Sequence, residues 1–303
     1  VGVSVLFSNF LDSAHDIARI TKKVNKNIKV ILGGNHISNA VIDYRFSSDK
    51  KSNLPDFIED LEDENFDFAM IGEGETPMVQ LVETIINNGD VSKVVGFVKK
   101  IGHKKYIINN TSAKHDLSLL PRPARHLVNM EAYFKIGAFQ SAKSRSKRVL
   151  SVMCSRGCPE KCTFCTTPQM WGANIRWRST EHIMEEIRED SKQYNIGEIQ
   201  FLDDTITLHK PHLYSLCDGL EKLGIPWCTP NGTKVNYHLK EQMHMYQRMH
   251  DSGCYQISLA VESGNQRVLD DLIKKNLQLE TVYPAIEKAK KTGMLVHTLW
   301  ILG

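Results

Sequence analysis

From Arg148 onward, short apolar runs recur with amphipathic stretches between them, and this rhythm constrains the fold more than any other feature of the chain. The runs Arg148–Met153, Glu198–Leu202, Trp227–Pro230, Gln256–Val261 and Val296–Leu302 read as strands. Helical patterns lie between them at Thr180–Tyr194, His212–Leu223, Leu239–Ser252, and Gln266–Ile273 followed by Thr281–Thr292. Ser179 and Thr180 ahead of Glu181 suit a helix start, because a hydroxyl there accepts from an otherwise unpaired backbone N–H. Five strand–helix periods over about 155 residues is the repeat of a (β/α) barrel, cut before its last strands. Barrels collect reactive residues at the carboxyl ends of their strands. That rule says where to look.

The first hundred or so residues alternate with a shorter period. Strands are expected at Val3–Phe7, Lys29–Leu32, Phe66–Ile71 and Val94–Val98, and helices at Ser13–Val24, Pro55–Glu62 and Thr76–Asn87. Ile17, Ile20 and Val24 recur at the spacings of a helix face. Alternation with Gly at the strand ends implies a doubly wound parallel sheet of the Rossmann-like or flavodoxin-like kind. Ser47–Asn53 reads as a polar loop, and Gly96–Lys100 with Lys104–Asn109 as a hairpin. Leu120-Pro121-Arg122-Pro123 forbids regular structure and marks a connector. The basic run Lys143, Arg145, Lys147, Arg148 reads as a solvated linker or as a contact to an acidic ligand. The division expected is therefore 1–98, a connector over 99–147, and a barrel over 148–303.

Composition excludes several classes. A net charge of +3, from 38 basic and 35 acidic residues, argues against a surface that tracks nucleic-acid phosphate. No apolar run approaches the ~18 residues of a spanning helix, and no basic-then-apolar leader precedes the first strand. The chain opens and closes inside strand-like runs, so it reads as an internal fragment of a longer protein.

The seven cysteines are unevenly placed: none precedes Cys154, and four fall in the twelve positions Cys154–Cys165. Such clustering reads as metal ligation in a reducing compartment, hence a cytoplasmic protein. A structural zinc site usually separates two ligand pairs by a dozen or more residues. Iron–sulfur clusters are held by thiolates at short spacings, which suits this crowding better. Cys154 stands at the strand's end, outside the triplet Cys158, Cys162, Cys165, and reads as a packed structural thiol. Cys217, Cys228 and Cys254 are isolated and read as buried.

The triplet Cys158-x3-Cys162-x2-Cys165, with Phe164 before the last cysteine and a barrel strand in front, resembles the radical S-adenosylmethionine family. The resemblance implies a [4Fe–4S] cluster with three protein ligands and one open iron, which takes the methionine end of S-adenosylmethionine. It also implies roles for two other strand ends. Asp203 and Asp204 follow the second strand, where the family has a polar or acidic motif for the methionine amino group; the common Gly-Gly-Glu form is lacking, and the choice between the two carboxylates stays open. Either could instead cap the next helix. Glu262-Ser263-Gly264 follows the fourth strand and resembles the ribose-binding motif. Asn231-Gly232 after the third strand is a weaker candidate, and Ile301-Leu302-Gly303 is similar to the start of a fifth-strand motif that meets adenine.

In the amino-terminal half, Ser4-Val5-Leu6 and, after 26 intervening residues, Gly33-Gly34-Asn35-His36 stand at two strand ends. With Gly72-Glu73-Gly74-Glu75-Thr76-Pro77 they resemble the cobalamin-binding domain fused to such barrels. The resemblance implies that Ser4 bonds the nucleotide tail, that Gly33 and Gly34 leave room for it, that Leu6 and His36 face the ligand, and that Gly72, Glu73 and Gly74 turn over it. Pro77 marks a helix start. The whole pattern is similar to cobalamin-dependent radical methyltransferases and to the anaerobic magnesium-protoporphyrin monomethyl ester cyclase group. It implies a small-molecule substrate, an electron donor such as flavodoxin or ferredoxin, and no nucleic-acid partner. Two alternatives are a tRNA methylthiotransferase-like enzyme, disfavoured because residues 1–153 hold no cysteine for a second cluster, and a non-catalytic cobalamin- or cluster-binding sensor, which would not need the Asp203-Asp204 and Glu262 motifs.

Overall fold

The structure, a computed structural model, describes residues 1–46, 63–102, 105–109, 115–137, 140–141 and 143–302. It divides into two units, Val1–His115 with Gln169–Trp171, and Asp116–Pro168 with Gly172–Gly303. The expected helix at Pro55–Glu62 and the loop at Ser47–Asn53 lie outside the described residues.

The first unit is a five-stranded sheet in chain order: β1 (Gly2–Ser4), β2 (Ile31–Gly33), β3 (Phe68–Met70), β4 (Phe97–Gly102) and β5 (Lys105–Ile108). β1, β2 and β3 are parallel, so their connections must cross over, and helices Leu11–Val24 and Asn35–Phe46 lie in the first two crossovers. Apolar residues cover both faces. Ala14, Ala18 and Ile37 join Val5, Leu32 and Ala69 in one cluster, whereas Leu81 joins Ile31, Phe68 and Phe97 in another. Helices on both faces of the sheet are the Rossmann-like α/β arrangement expected, although the described strands run in chain order with no reversal of winding.

Three expectations need correction. The strand read at Val94–Val98 begins at Phe97 and runs antiparallel to β3, pairing Ala69 with Val98. Gly96 makes the reversal: at φ +71° an added Cβ would sit 2.8 Å from the Ile71 carbonyl oxygen. The hairpin consequently continues the first sheet past residue 98 to Ile108 rather than opening a connector. It pairs the backbone of β3, which would otherwise be an open edge. The first helix is where periodicity put it, but its buried residues are Ala14 and Ala18, and Ile17, Ile20 and Val24 are exposed. Small side chains let the helix lie close on the sheet, and this outweighed the bulk of the isoleucines. Helix Asn35–Phe46 has no counterpart in the sequence reading; its polar first turn hides the pattern.

In the second unit, β6 (Val149–Val152), β9 (Glu198–Phe201), β10 (Trp227–Lys234), β11 (Cys254–Glu262) and β12 (Leu295–Trp300) form one parallel sheet in chain order. Helices Thr180–Tyr194, Lys210–Leu223, Gln242–Asp251 and Val282–Lys291 follow successive strands. Their apolar stripes (Ile183, Ile187, Leu216, Leu220, Met249, Ala285) pack on Ile199, Phe201, Trp227 and Ile257. Phe201 and Trp227 meet edge to face at 5.4 Å. This is the partial (β/α) barrel that the repeat predicted.

The alternate side chains of the strands are polar and buried: Glu198, Gln200, Gln256 and Ser258. At the amino ends of the strands the Glu198 carboxylate accepts from Ser144 Oγ (2.7 Å), the Ser146 amide (3.0 Å) and Tyr255 Oη (2.8 Å), and also from the Arg145 amide. The basic run is thus not wholly a solvated linker. Arg145 lies over the Tyr255 ring, and Arg148 lies over Phe134 while pairing with Glu131. The opposite, carboxyl end of the sheet carries the cavity described next.

Candidate active site

Two short strands, β7 (Ser155–Arg156) and β8 (Arg176–Trp177), pair antiparallel and close off the excursion that carries the cysteines. Gly157 turns the chain into it at φ +113°, where a Cβ would meet the Asn174 carbonyl oxygen at 2.8 Å. Cys158 donates its amide to Gly172, and Cys165 to Cys162. Thr163 ties the loop to a distant turn, with its amide on the Ile273 carbonyl (2.9 Å) and its hydroxyl on the Leu272 carbonyl (2.7 Å). Those carbonyls end a π-type helical turn, Val268–Ile273, where the backbone is free to bond outside the helix.

Cys158, Cys162 and Cys165 line one cavity of about 390 Å³, together with Phe164, Asp204 and Glu262. Among the described residues no three His, Cys, Asp or Glu side chains gather closely enough to hold a single metal ion. Three thiols spread along a cavity wall suit a larger polynuclear group instead. Burial pushes the Cys158 thiol up to about 11 and raises Cys162, against the opposing pull of the Lys275 ammonium. Metal binding to these thiols must therefore displace protons.

The two adjacent aspartates separate cleanly. Asp203 is buried and turned back on the strand, accepting from the Cys154 amide (3.0 Å) and Ser155 Oγ (2.5 Å). Burial raises it to about 6 in spite of these bonds. Asp204 lines the cavity, with burial raising it and Thr167 donating to it at 3.4 Å. Asp204 is the carboxylate available to a ligand; Asp203 is a latch. Cys154 is wholly buried outside the cavity, as expected of a structural thiol. Ser263 is likewise not part of the lining; its hydroxyl accepts from the Asn265 amide.

Glu262 ends β11 at φ +70° and accepts from Lys275 Nζ at 3.0 Å, both side chains nearly buried. On the other side, Glu160, within the cysteine loop, accepts from Lys234 Nζ at 2.6 Å and Tyr237 Oη at 2.8 Å. Sequence reading missed Glu160, Lys234, Tyr237 and Lys275. It ended the third strand at Pro230, whereas β10 shifts register between Thr229 and Thr233 and continues to Lys234. Gly232 permits this, since a Cβ there would meet Ala260 and Leu299 within 2.8 Å. Thr205 was missed as well; its Oγ1 is buried on the cavity wall with no partner among the described residues.

In the first unit the strand-end loops hold together through Ser38, whose Oγ donates to the Gly34 carbonyl (2.9 Å) and accepts from the Gly72 amide (3.0 Å). Gly34 has φ +101°, and a Cβ would lie 2.5 Å from the Val5 carbonyl oxygen. A side chain at Gly34 would thus collide with the domain's own backbone. Gly33 is less confined, its nearest neighbour being the Met70 carbonyl oxygen at 3.4 Å from an added Cβ, and Gly74 faces open space. His36 Nδ1 bonds Ser8 Oγ at 2.8 Å. Ser4 and Leu6 are exposed, Glu73 is buried, and Asn39 Oδ1 is buried without a partner among the described residues.

A parallel half-barrel with a cysteine-lined cavity at the carboxyl ends of its strands defines a barrel-type iron–sulfur class of protein. The family model described as Radical SAM superfamily matches residues 152–303, half of the chain, and the chain belongs to that superfamily. It is similar over its whole length, at 33% identity, to the cytidylyl-2-hydroxyethylphosphonate methyltransferase of Streptomyces wedmorensis, 57% of which is covered. It is 27% identical over 94% of its length to the anaerobic magnesium-protoporphyrin IX monomethyl ester cyclase of Rubrivivax gelatinosus, covering 47% of that protein. The chain thus spans about half the length of these two relatives. The fold is shared, at 14% identity and a TM-score of 0.73, with the radical S-adenosylmethionine methyltransferase TsrM from Kitasatospora setae, solved with cobalamin and a [4Fe-4S] cluster bound; the match covers 100% of this chain and 58% of TsrM. Among the described residues no helix is long and apolar enough to cross a membrane.

Proposed function

We propose that the whole protein is a cobalamin-dependent radical S-adenosylmethionine enzyme that methylates an unactivated carbon of a small molecule. The observation that carries this reading is one cavity in which three thiols meet Asp204, Glu262 and the Thr205 hydroxyl, which has no partner among the described residues. The donor set fits a [4Fe–4S] cluster on Cys158, Cys162 and Cys165. Bound there, such a cluster supplies the electron that cleaves S-adenosylmethionine, and cobalamin supplies the transferred methyl group.

The chain's own residues do the rest. Asp204 accepts from the methionine amino group and Glu262 from the ribose hydroxyls, with Lys275 fixing the Glu262 carboxylate in place. Phe164 and Leu299 on the lining keep water from the reacting end. In the first unit, Gly33 and Gly74 leave open strand ends, and Ser4, His36 and the buried Asn39 oxygen offer polar contacts for a nucleotide tail. Exposed Leu6, Phe7 and Phe10 after β1 offer an apolar surface suited to a corrin. The crowding of four cysteines into Cys154–Cys165 suits metal ligation in a reducing, cytoplasmic location and reduction by a flavodoxin or ferredoxin.

The test is anaerobic reconstitution of the full-length protein, with iron, sulfide and cobalt measured and 5′-deoxyadenosine followed after reduction. Iron near four per chain, bound cobalt and S-adenosylmethionine cleavage are expected; a protein loaded with iron that leaves S-adenosylmethionine intact refutes the enzyme reading. Oxidative cyclisation is the second reading, favoured by the similarity to the Rubrivivax cyclase over nearly the whole chain. A methylated product against a dehydrogenated, cyclised one separates the two.

A further inference from the structure

Glu160 stands midway between two of the cavity cysteines, in the segment Cys158-Pro-Glu160-Lys-Cys162. A carboxylate beside thiolates is unfavourable by charge, so some other effect must hold it there. Its Oε2 accepts from Lys234 Nζ at 2.6 Å and its Oε1 from Tyr237 Oη at 2.8 Å, so each oxygen has its own donor. Lys234 is 8% exposed, and its ammonium also lies 5.3 Å from the centre of the Tyr237 ring. A buried lysine without a partner is costly, so lysine and glutamate hold each other in place. The lysine comes from the last residue of β10, a rigid element, whereas the glutamate comes from a loop. The pair therefore transmits the position of the barrel wall to the cysteine loop. Thr163 bonds the far side of the same loop to the Leu272 and Ile273 carbonyls.

We propose that Glu160 is a positioning residue, clamped by Lys234 and Tyr237, which shapes the loop between Cys158 and Cys162 before iron arrives. It is not itself an iron ligand, because both of its oxygens are engaged. The proposal rests on the cluster assignment made above, but its first test needs no cluster.

In the metal-free, full-length protein, alkylation of each cysteine by iodoacetamide is followed by mass spectrometry. Glu160→Ala releases the loop, and the rates at Cys158 and Cys162 rise roughly 10-fold or more, the factor that corresponds to losing charge-assisted hydrogen bonds. Cys217, Cys228 and Cys254, buried in the barrel wall, serve as the control for global unfolding and keep their slow rates. Tyr237→Phe removes one hydroxyl, gives a smaller rise at the same two cysteines, and serves where the alanine variant does not fold. Glu160→Gln keeps both acceptor contacts on one oxygen at most and falls between. After reconstitution, the Glu160→Ala cluster loses iron to a chelator faster and shows a displaced electron paramagnetic resonance signal, whereas Lys234→Arg retains the wild-type signal. Unchanged alkylation at Cys158 and Cys162 in both folded Glu160→Ala and Tyr237→Phe overturns the clamp. A wild-type protein that takes up no iron overturns the cluster assignment instead, and the alkylation rates still decide whether the loop is clamped.

Discussion

Replacing Gly34 by alanine tests whether its missing side chain serves a ligand or the fold. At φ +101° an alanine is in the left-handed region, which costs about 1–2 kcal/mol for a residue with a Cβ. The Cβ would lie 2.5 Å from the Val5 oxygen, 2.8 Å from its nitrogen and 2.9 Å from its carbonyl carbon. These are backbone atoms of a strand end and cannot swing aside, so overpacking adds ~1–3 kcal/mol. Reduced freedom of the unfolded chain offsets about 0.4–1 kcal/mol, leaving a loss of roughly 2–4 kcal/mol. Gly33→Ala is the control: its φ is not in the left-handed region, its nearest contact is an ordinary 3.4 Å, and its cost stays within about 1 kcal/mol.

Native-state hydrogen exchange reads the difference locally, at the Val5 amide bonded to the Gly33 carbonyl (2.8 Å) and the His36 amide bonded to the Val5 carbonyl (3.1 Å). Protection there falls roughly 30- to 1000-fold in Gly34→Ala and by less than about tenfold in Gly33→Ala. Equal protection in the two variants would refute the steric argument. Cobalt loss in a Gly34 variant then reports a damaged strand end, and the position that probes the nucleotide tail is Gly33. Gly33→Val in the full-length protein is expected to stay folded and to lose cobalamin.

Three further outcomes follow from the barrel. Asp203 keeps its proton up to about pH 6 in the folded protein and to the usual 3.8 when unfolded, so its contribution is fully present below 3.8 and is lost as the pH rises through 6, about 3 kcal/mol in all; Asp203→Asn should flatten urea-measured stability between pH 4 and 6 relative to wild type, and an unchanged slope would count against a buried carboxyl. Cys154→Ala should leave iron content near wild type while Ala at Cys158, Cys162 or Cys165 removes the cluster, and a dispensable member of the triplet contradicts the assignment. Glu262→Gln, which spares Lys275 an unpaired burial, should weaken S-adenosylmethionine binding by roughly 10-fold and Glu262→Ala by up to about 150-fold, as titration calorimetry on cluster-loaded protein would register.

The strands and most helices were legible because their signals are local: apolar runs at strand spacing, helical periodicity, and glycines at turns. The cysteine spacing and the Glu262 strand end were legible for the same reason, since each is a short segment with its own chemistry. Tertiary structure decided what depends on approach between distant segments. It turned Ile17 and Ile20 outward because Ala14 and Ala18 pack closer, and it ran β4 antiparallel because Gly96 reverses the chain beside β3. It sent Asp203 back to the Cys154 amide and left Asp204 on the cavity, a choice between adjacent identical residues just past the strand's end that composition cannot make. It brought Glu160 to Lys234 and Tyr237, and Glu262 to Lys275, because buried charge is stable only beside its partner, and a partner more than seventy positions away (Glu160 to Lys234) is named by folding alone.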